Sequence, residues 1–298
     1  MWSLDLAQSI LNIWDAICEN ILTILRTPVS SWAGGEAWDI AVRVHNAFIG
    51  VALGLAVLFF AISFFRYVDD VRELTFREVA GWILRFAVMY ILISYSMEIM
   101  QFFINLSADA TASLMAVARP QVTATAMSAD LTASVEALNT ALETGGWNIL
   151  AVIGTFFETI GISMFFFVVM LVVFVSGIIM IVSVFVRFFK LFIYIAVAPI
   201  PLATLAGHRS SEIARHFLKS FAAICFEVVI ICIAIAIFNA VAGASNSIFT
   251  FLTIPGDGEA ENMWNAATNW GWTVLIGVVT LTVLVRQANR YVREMIGV

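Results

Sequence analysis

Residues 194–220 read YIAVAPIPLATLAGHRSSEIARHFLKS. The first half is apolar enough to enter a membrane, yet it carries Pro199 and Pro201, and the second half turns basic. Each proline removes a backbone donor and disfavours helix at the residue before it. Everything downstream changes side with this stretch, so its placement decides how often the chain crosses the membrane.

Composition sets the class around it. Apolar residues make up 62% of the 298 and charged residues 12%, the latter about half the share of a soluble domain. Separate stretches approach or exceed the roughly 20 apolar residues of a spanning helix. None shows the short alternation of barrel strands. The reading is all-α: a polytopic helical membrane protein forming a single membrane domain over residues 1–298. Cys18, Cys225 and Cys232 lack CxxC spacing and read as small packing residues. The N-terminal region carries Asp5, Asp15 and Glu19 and has no basic start, so it does not read as a signal peptide.

Helical spacing of Leu6, Ile10, Ile13, Ile17, Ile21 and Ile24 predicts an amphipathic helix over 3–25. Its polar face has no Lys or Arg, which suits packing on a protein neighbour or an outer leaflet better than an anionic lipid surface. Thr27-Pro28 ends it, and residues 30–39 read as a loop, completing an N-terminal region over 1–45. Spans are expected at 46–65, 82–105, 217–243 and 269–285, the first two forming a helix pair over 46–105. Residues 106–146 make a polar loop, in which Leu131, Val135, Leu138 and Leu142 form one helical stripe. The C-terminal helices occupy 147–298. Their first apolar run, 147–186, is about 60 Å long as helix, twice the hydrocarbon core of about 30 Å. Only part of it is expected to span, over 162–186.

Basic residues orient these spans. Twelve of the 15 Lys and Arg fall in three clusters, after the first span, after the long run and after the last span. The positive-inside rule makes those clusters cytoplasmic. The N-terminus and the loops 106–146 and 244–268 are then outside. A crossing at 191–206 would put Arg209, Arg215, Lys219, Arg286, Arg290 and Arg293 on the wrong side. The segment 191–207, ending at Gly207, therefore reads as a re-entrant or interfacial element, with five spans, N-out and C-in. Broken backbone at that depth must be buried in protein or face a wet cavity. The alternative is a proline-kinked sixth span.

No catalytic constellation stands out. GxxxxGK[ST], HExxH and GxSxG are all absent, so the chain is not expected to be an enzyme, and no cofactor or metal is implied. His208 and His216 lack companions at ligand spacing. Acids inside apolar segments suggest function by default. Glu98, Glu158 and Glu227 qualify, with Glu158 near the outer edge of its run and Glu227 well inside its helix. Glu227 reads as a hydrogen-bonded acid at a helix interface, or as lining of a polar passage or subunit seam. Gly50 and Gly54 form GxxxG, which permits close helix approach. The basic stretches suit anionic lipid or a partner ATPase as well as topology.

The order of these features resembles the TrbL family, conjugative relatives of the sixth VirB subunit of type IV secretion systems. The resemblance covers about residues 40–290 and rests on the N-terminal amphipathic region, the 106–146 loop, the Phe-rich run through APIPLATLAG (198–207) and the following HRSSEIARHFLKSFAAICFEVVI. It implies a channel or translocation-platform subunit of the bacterial cytoplasmic membrane. Such a subunit works as a homo-oligomer with other secretion-system subunits, including cytoplasmic ATPases. It makes at most transient contact with the transferred DNA or protein. Glu98, Glu227, Pro199, Pro201, Gly207, Gly50 and Gly54 are its candidate channel or interface residues. The competing reading is an ion-coupled secondary transporter, which would use broken helices and embedded acids to hold its substrates.

Overall fold

A computed structural model describes residues 2–70, 76–118, 149–207, 211–242 and 263–297. The described residues are helical, with no strand among them. The helices are α1 (Trp2–Arg26), α2 (Glu36–Asp70), α3 (Phe76–Ser94), α4 (Ser96–Ala118), α5 (Ile149–Val197), α6 (Pro199–Ala203), α7 (Ser211–Ala242) and α8 (Met263–Ile296). Four helices are long and apolar enough to cross a membrane, and five do so if the bent pair α3–α4 counts as one span. The all-α class read from the sequence is the class observed, with helices long and apolar enough for several crossings.

Four boundaries differ from expectation. The second span is broken: α3 and α4 meet at Tyr95 with a bend of 63°. Neither proline nor glycine marks that break, which is why the sequence reads through it. The long run does not stop at 186 but continues as one helix to Val197, because no residue in 187–197 opposes helix. The proline element is correspondingly shorter than 191–207: α6 and a 3-10 turn over Thr204–Ala206. Residues 30–39 differ from a loop only in their last part: Val29–Gly35 is a turn broken by extended Trp32 and by positive φ at Ala33 and Gly34, but α2 already starts at Glu36. The expected helix over 131–142 and the acidic loop lie outside the described residues.

The chain forms two compact units. One comprises Met1–Ile24, Leu114–Val184 and Ile231–Gln287. Here α1 is amphipathic as expected, but its buried stripe is Ile10, Trp14, Cys18 and Ile21, about one residue round from the predicted centre. Trp14 meets Phe238 edge-on at 6.3 Å, and Ile17 seats against Gly177. The neighbour that accepts the acidic amphipathic helix is this chain itself. Glycine notches recur in the unit: Phe165 lies against Gly271 and Phe238 against Gly277. Without a hydrophobic drive inside lipid, such close approach supplies the dispersion contact that joins helices.

The other unit comprises Leu25–Ser113, Phe185–Ile230 and Ala288–Val298. Ala33, Gly34 and Gly35 all have positive φ, of 52°, 75° and 84°. That left-handed run turns the chain sharply between Pro28 and α2. It delivers Trp32 onto α5, stacked on Phe188 at 4.9 Å and flanked by Phe185, Phe189 and Phe192. Tyr194 stacks on Phe217 at 5.3 Å, tying the end of α5 to the start of α7. These contacts hold the proline element in place.

Candidate functional site

The site grows from a missing hydrogen. In a continuous helix the N–H of residue 199 would donate to the carbonyl of Ile195, but Pro199 has no N–H. Only a long bond of 3.4 Å from the Ala198 N–H reaches that oxygen along the chain. His45, fully buried on α2, takes it: Nδ1 lies 2.7 Å from the Ile195 oxygen. A carbonyl only accepts, so Nδ1 carries the proton. On the far side of the ring, Nε2 lies 2.9 Å from the Ser96 hydroxyl.

Ser96 is the first residue after the α3–α4 break. Its Oγ lies 2.7 Å from the Ile93 carbonyl, and its single hydrogen serves either that oxygen or His45 Nε2. A side chain inserted into the helical ladder is a known cause of a sharp kink. The outcome is one buried cluster: His45 donates to the Ile195 carbonyl, and Ser96 stands within bonding distance of both His45 Nε2 and the Ile93 carbonyl. It joins the proline break after α5 to the break between α3 and α4. His45 and Ser96 are both buried, where an unmet polar group is expensive, so the Ile195 carbonyl depends on His45 and the His45 ring on Ser96.

A second buried polar layer lies in the same unit. Glu227, 5% exposed on α7, accepts a hydrogen bond from Asn289 Nδ2 on α8 at 2.8 Å. Arg187 is itself buried; its Nε donates to the Ile224 carbonyl at 3.3 Å and its guanidinium lies 5.4 Å from the Phe188 ring centre. A residue counted in the sequence as a topology signal is thus a structural cation inside the helix packing. Asn289 escaped notice because it sits among charged residues at the end of the last helix.

The remaining candidates separate. Glu98 is exposed in the first turn of α4, where a carboxylate is favoured by the helix dipole. Gly50 and Gly54 are exposed, and a Cβ at either would meet nothing within 4 Å. No described helix uses that GxxxG face. Pro199 and Gly207 are buried, and Gly207 donates its N–H to the Thr204 carbonyl at 3.3 Å, closing the proline element. Glu158 falls on α5, in a part whose side chains are not described. Among the described residues no cluster of His, Cys, Asp and Glu has metal-binding geometry.

His45 and Ser96 were missed as site residues. The signal was present: a histidine at the mouth of an apolar helix, and Ser94 and Ser96 bracketing Tyr95 in mid-span. What spacing could not give was their pairing across 51 residues.

No protein-family model matches this chain, and no curated protein or solved structure matches it.

Proposed function

We propose that the chain is a structural membrane subunit of a type IV secretion or conjugative-transfer channel in the bacterial cytoplasmic membrane. It assembles as a homo-oligomer with other secretion-system subunits and helps move DNA or protein, with cytoplasmic ATPases supplying the energy. The observation that carries this reading is the closure of both helix breaks within the chain. Secondary transporters use the carbonyls of broken helices to coordinate ions. Here the Ile195 and Ile93 carbonyls are occupied by His45 and Ser96, and the buried acid Glu227 is held by Asn289. Such an arrangement makes a rigid brace. The element that carries the TrbL resemblance, 198–207, is the element being braced. The open Gly50–Gly54 face offers a seam for a second copy.

One observation favours the transporter reading: a second broken helix exists, and it meets the first. Affinity purification of the full chain from cells expressing its secretion system separates the two. Co-isolation of an oligomer with a cytoplasmic ATPase supports the channel subunit. A chain that purifies alone and drives substrate-dependent uptake into liposomes would be a transporter.

A further inference from the structure

In the second unit a cavity of about 860 Å³ opens between α3, the end of the proline element and the first turns of α7. Arg85, Glu212 and Arg215 stand at its polar side, and Val88, Leu92 and Leu205 line its apolar side. All three charged side chains are exposed. Among the described residues no ion pair joins Glu212 to either arginine. The Arg85 guanidinium lies 5.6 Å from the Trp82 ring centre, which steadies it. On α3, residues 81, 85, 88 and 92 share one stripe by helical spacing, so the apolar wall continues about 10 Å beyond Arg85. A cationic mouth over a one-sided apolar wall is the shape of an amphiphile.

We propose that this cavity binds one anionic glycerophospholipid. Its phosphodiester sits between Arg85 and Arg215, a headgroup hydroxyl faces Glu212, and the upper part of an acyl chain lies along Val88, Leu92 and Leu205. Charge selects this occupant. Among the described lining residues two arginines and one glutamate sum to +1, which a single phosphodiester with an uncharged alcohol headgroup neutralises. A zwitterionic headgroup leaves that charge unmet, and free phosphate leaves the apolar wall uncovered. Arginine suits the role because its planar fork meets phosphate oxygens in pairs. The lipid would bridge α3 to the start of α7.

The test is native mass spectrometry of the full chain, released from micelles containing phosphatidylglycerol or phosphatidylethanolamine. The wild-type chain should retain phosphatidylglycerol preferentially. Arg85→Gln or Arg215→Gln should each weaken retention about tenfold, the scale of one charge-assisted contact. Gly81→Leu fills the cavity mouth with the charges intact; a Cβ there meets nothing within 4 Å, so the variant should fold and still lose the lipid. Equal retention of the two lipids would overturn the proposal, as would displacement by inorganic phosphate at equal affinity. If an arginine variant fails to fold, judged by its Tm, Gly81→Leu decides alone: retention at the wild-type level overturns the proposal.

Discussion

Replacing His45 by leucine tests the brace directly. Leucine keeps apolar bulk but offers the Ile195 carbonyl no donor. That oxygen has already lost its helical partner to Pro199 and keeps only the 3.4 Å contact from Ala198. Leaving a buried acceptor unmet costs about 1–3 kcal/mol. Ser96 loses its alternative partner at His45, worth about 1 kcal/mol more, and donates to Ile93 alone. The expected total is about 2–4 kcal/mol, a large share of a stability of about 5–15 kcal/mol. Thermal or denaturant unfolding in a mild detergent measures it. Ser96→Ala should cost about 1 kcal/mol. The double variant should be less destabilised than the sum, because both residues belong to one network. His45→Gln, whose amide can donate, should recover part of the loss. If His45→Leu unfolds within about 0.5 kcal/mol of wild type, the usual range for surface substitutions, the brace contributes nothing and the reasoning fails.

Three other perturbations probe separate parts of the account. Pro199→Ala with Pro201→Ala restores donors for the Ile195 and Val197 carbonyls and lets α5 extend; assembly of the purified complex should fall, and unchanged assembly would contradict the role given to the break. Gly271→Ala places a Cβ 2.8 Å from Phe165 Cζ; overpacking of about 1–3 kcal/mol should outweigh the helix-propensity gain of about 1 kcal/mol and lower Tm, and Phe165→Leu should recover it. Burial, helped by the nearby charge of Asp15, pushes the Cys18 thiol up to about 12 from 9.0. The folded chain should therefore resist thiol alkylation at pH 8. Because the folded pKa lies above the unfolded one, the stability Cys18 contributes is full below pH 9.0 and lost as pH rises towards about 12. A Cys18→Ala variant should lack that alkaline loss in a Tm-against-pH comparison.

How much of this was legible beforehand depended on the range of the signal. Class and most helices follow from composition and run length, which are local. The amphipathic α1 follows from spacing, although large side chains such as Trp14 rotated the buried stripe. Pro199 announced its break because a missing N–H is written in the residue itself. The break at Tyr95 carries no such mark, since it arises from a side-chain bond at Ser96 and a histidine 51 positions away. Glu227 stood out as an acid in an apolar run. Its partner Asn289 did not, because their pairing spans 62 positions. Arg187 counted only as a topology signal and is buried, since packing alone decides the fate of a basic residue at the end of a span.

For the proposed role as a working part of a transfer machine, transfer itself is the most direct readout. Donor cells carrying an in-frame deletion of the gene, complemented with the wild-type chain or with His45→Leu, would be mated with recipients and the transferred marker counted. The account predicts that deletion abolishes transfer, that the wild-type chain restores it, and that His45→Leu restores it poorly at matched protein levels. Transfer at the wild-type frequency in the deletion strain would contradict it.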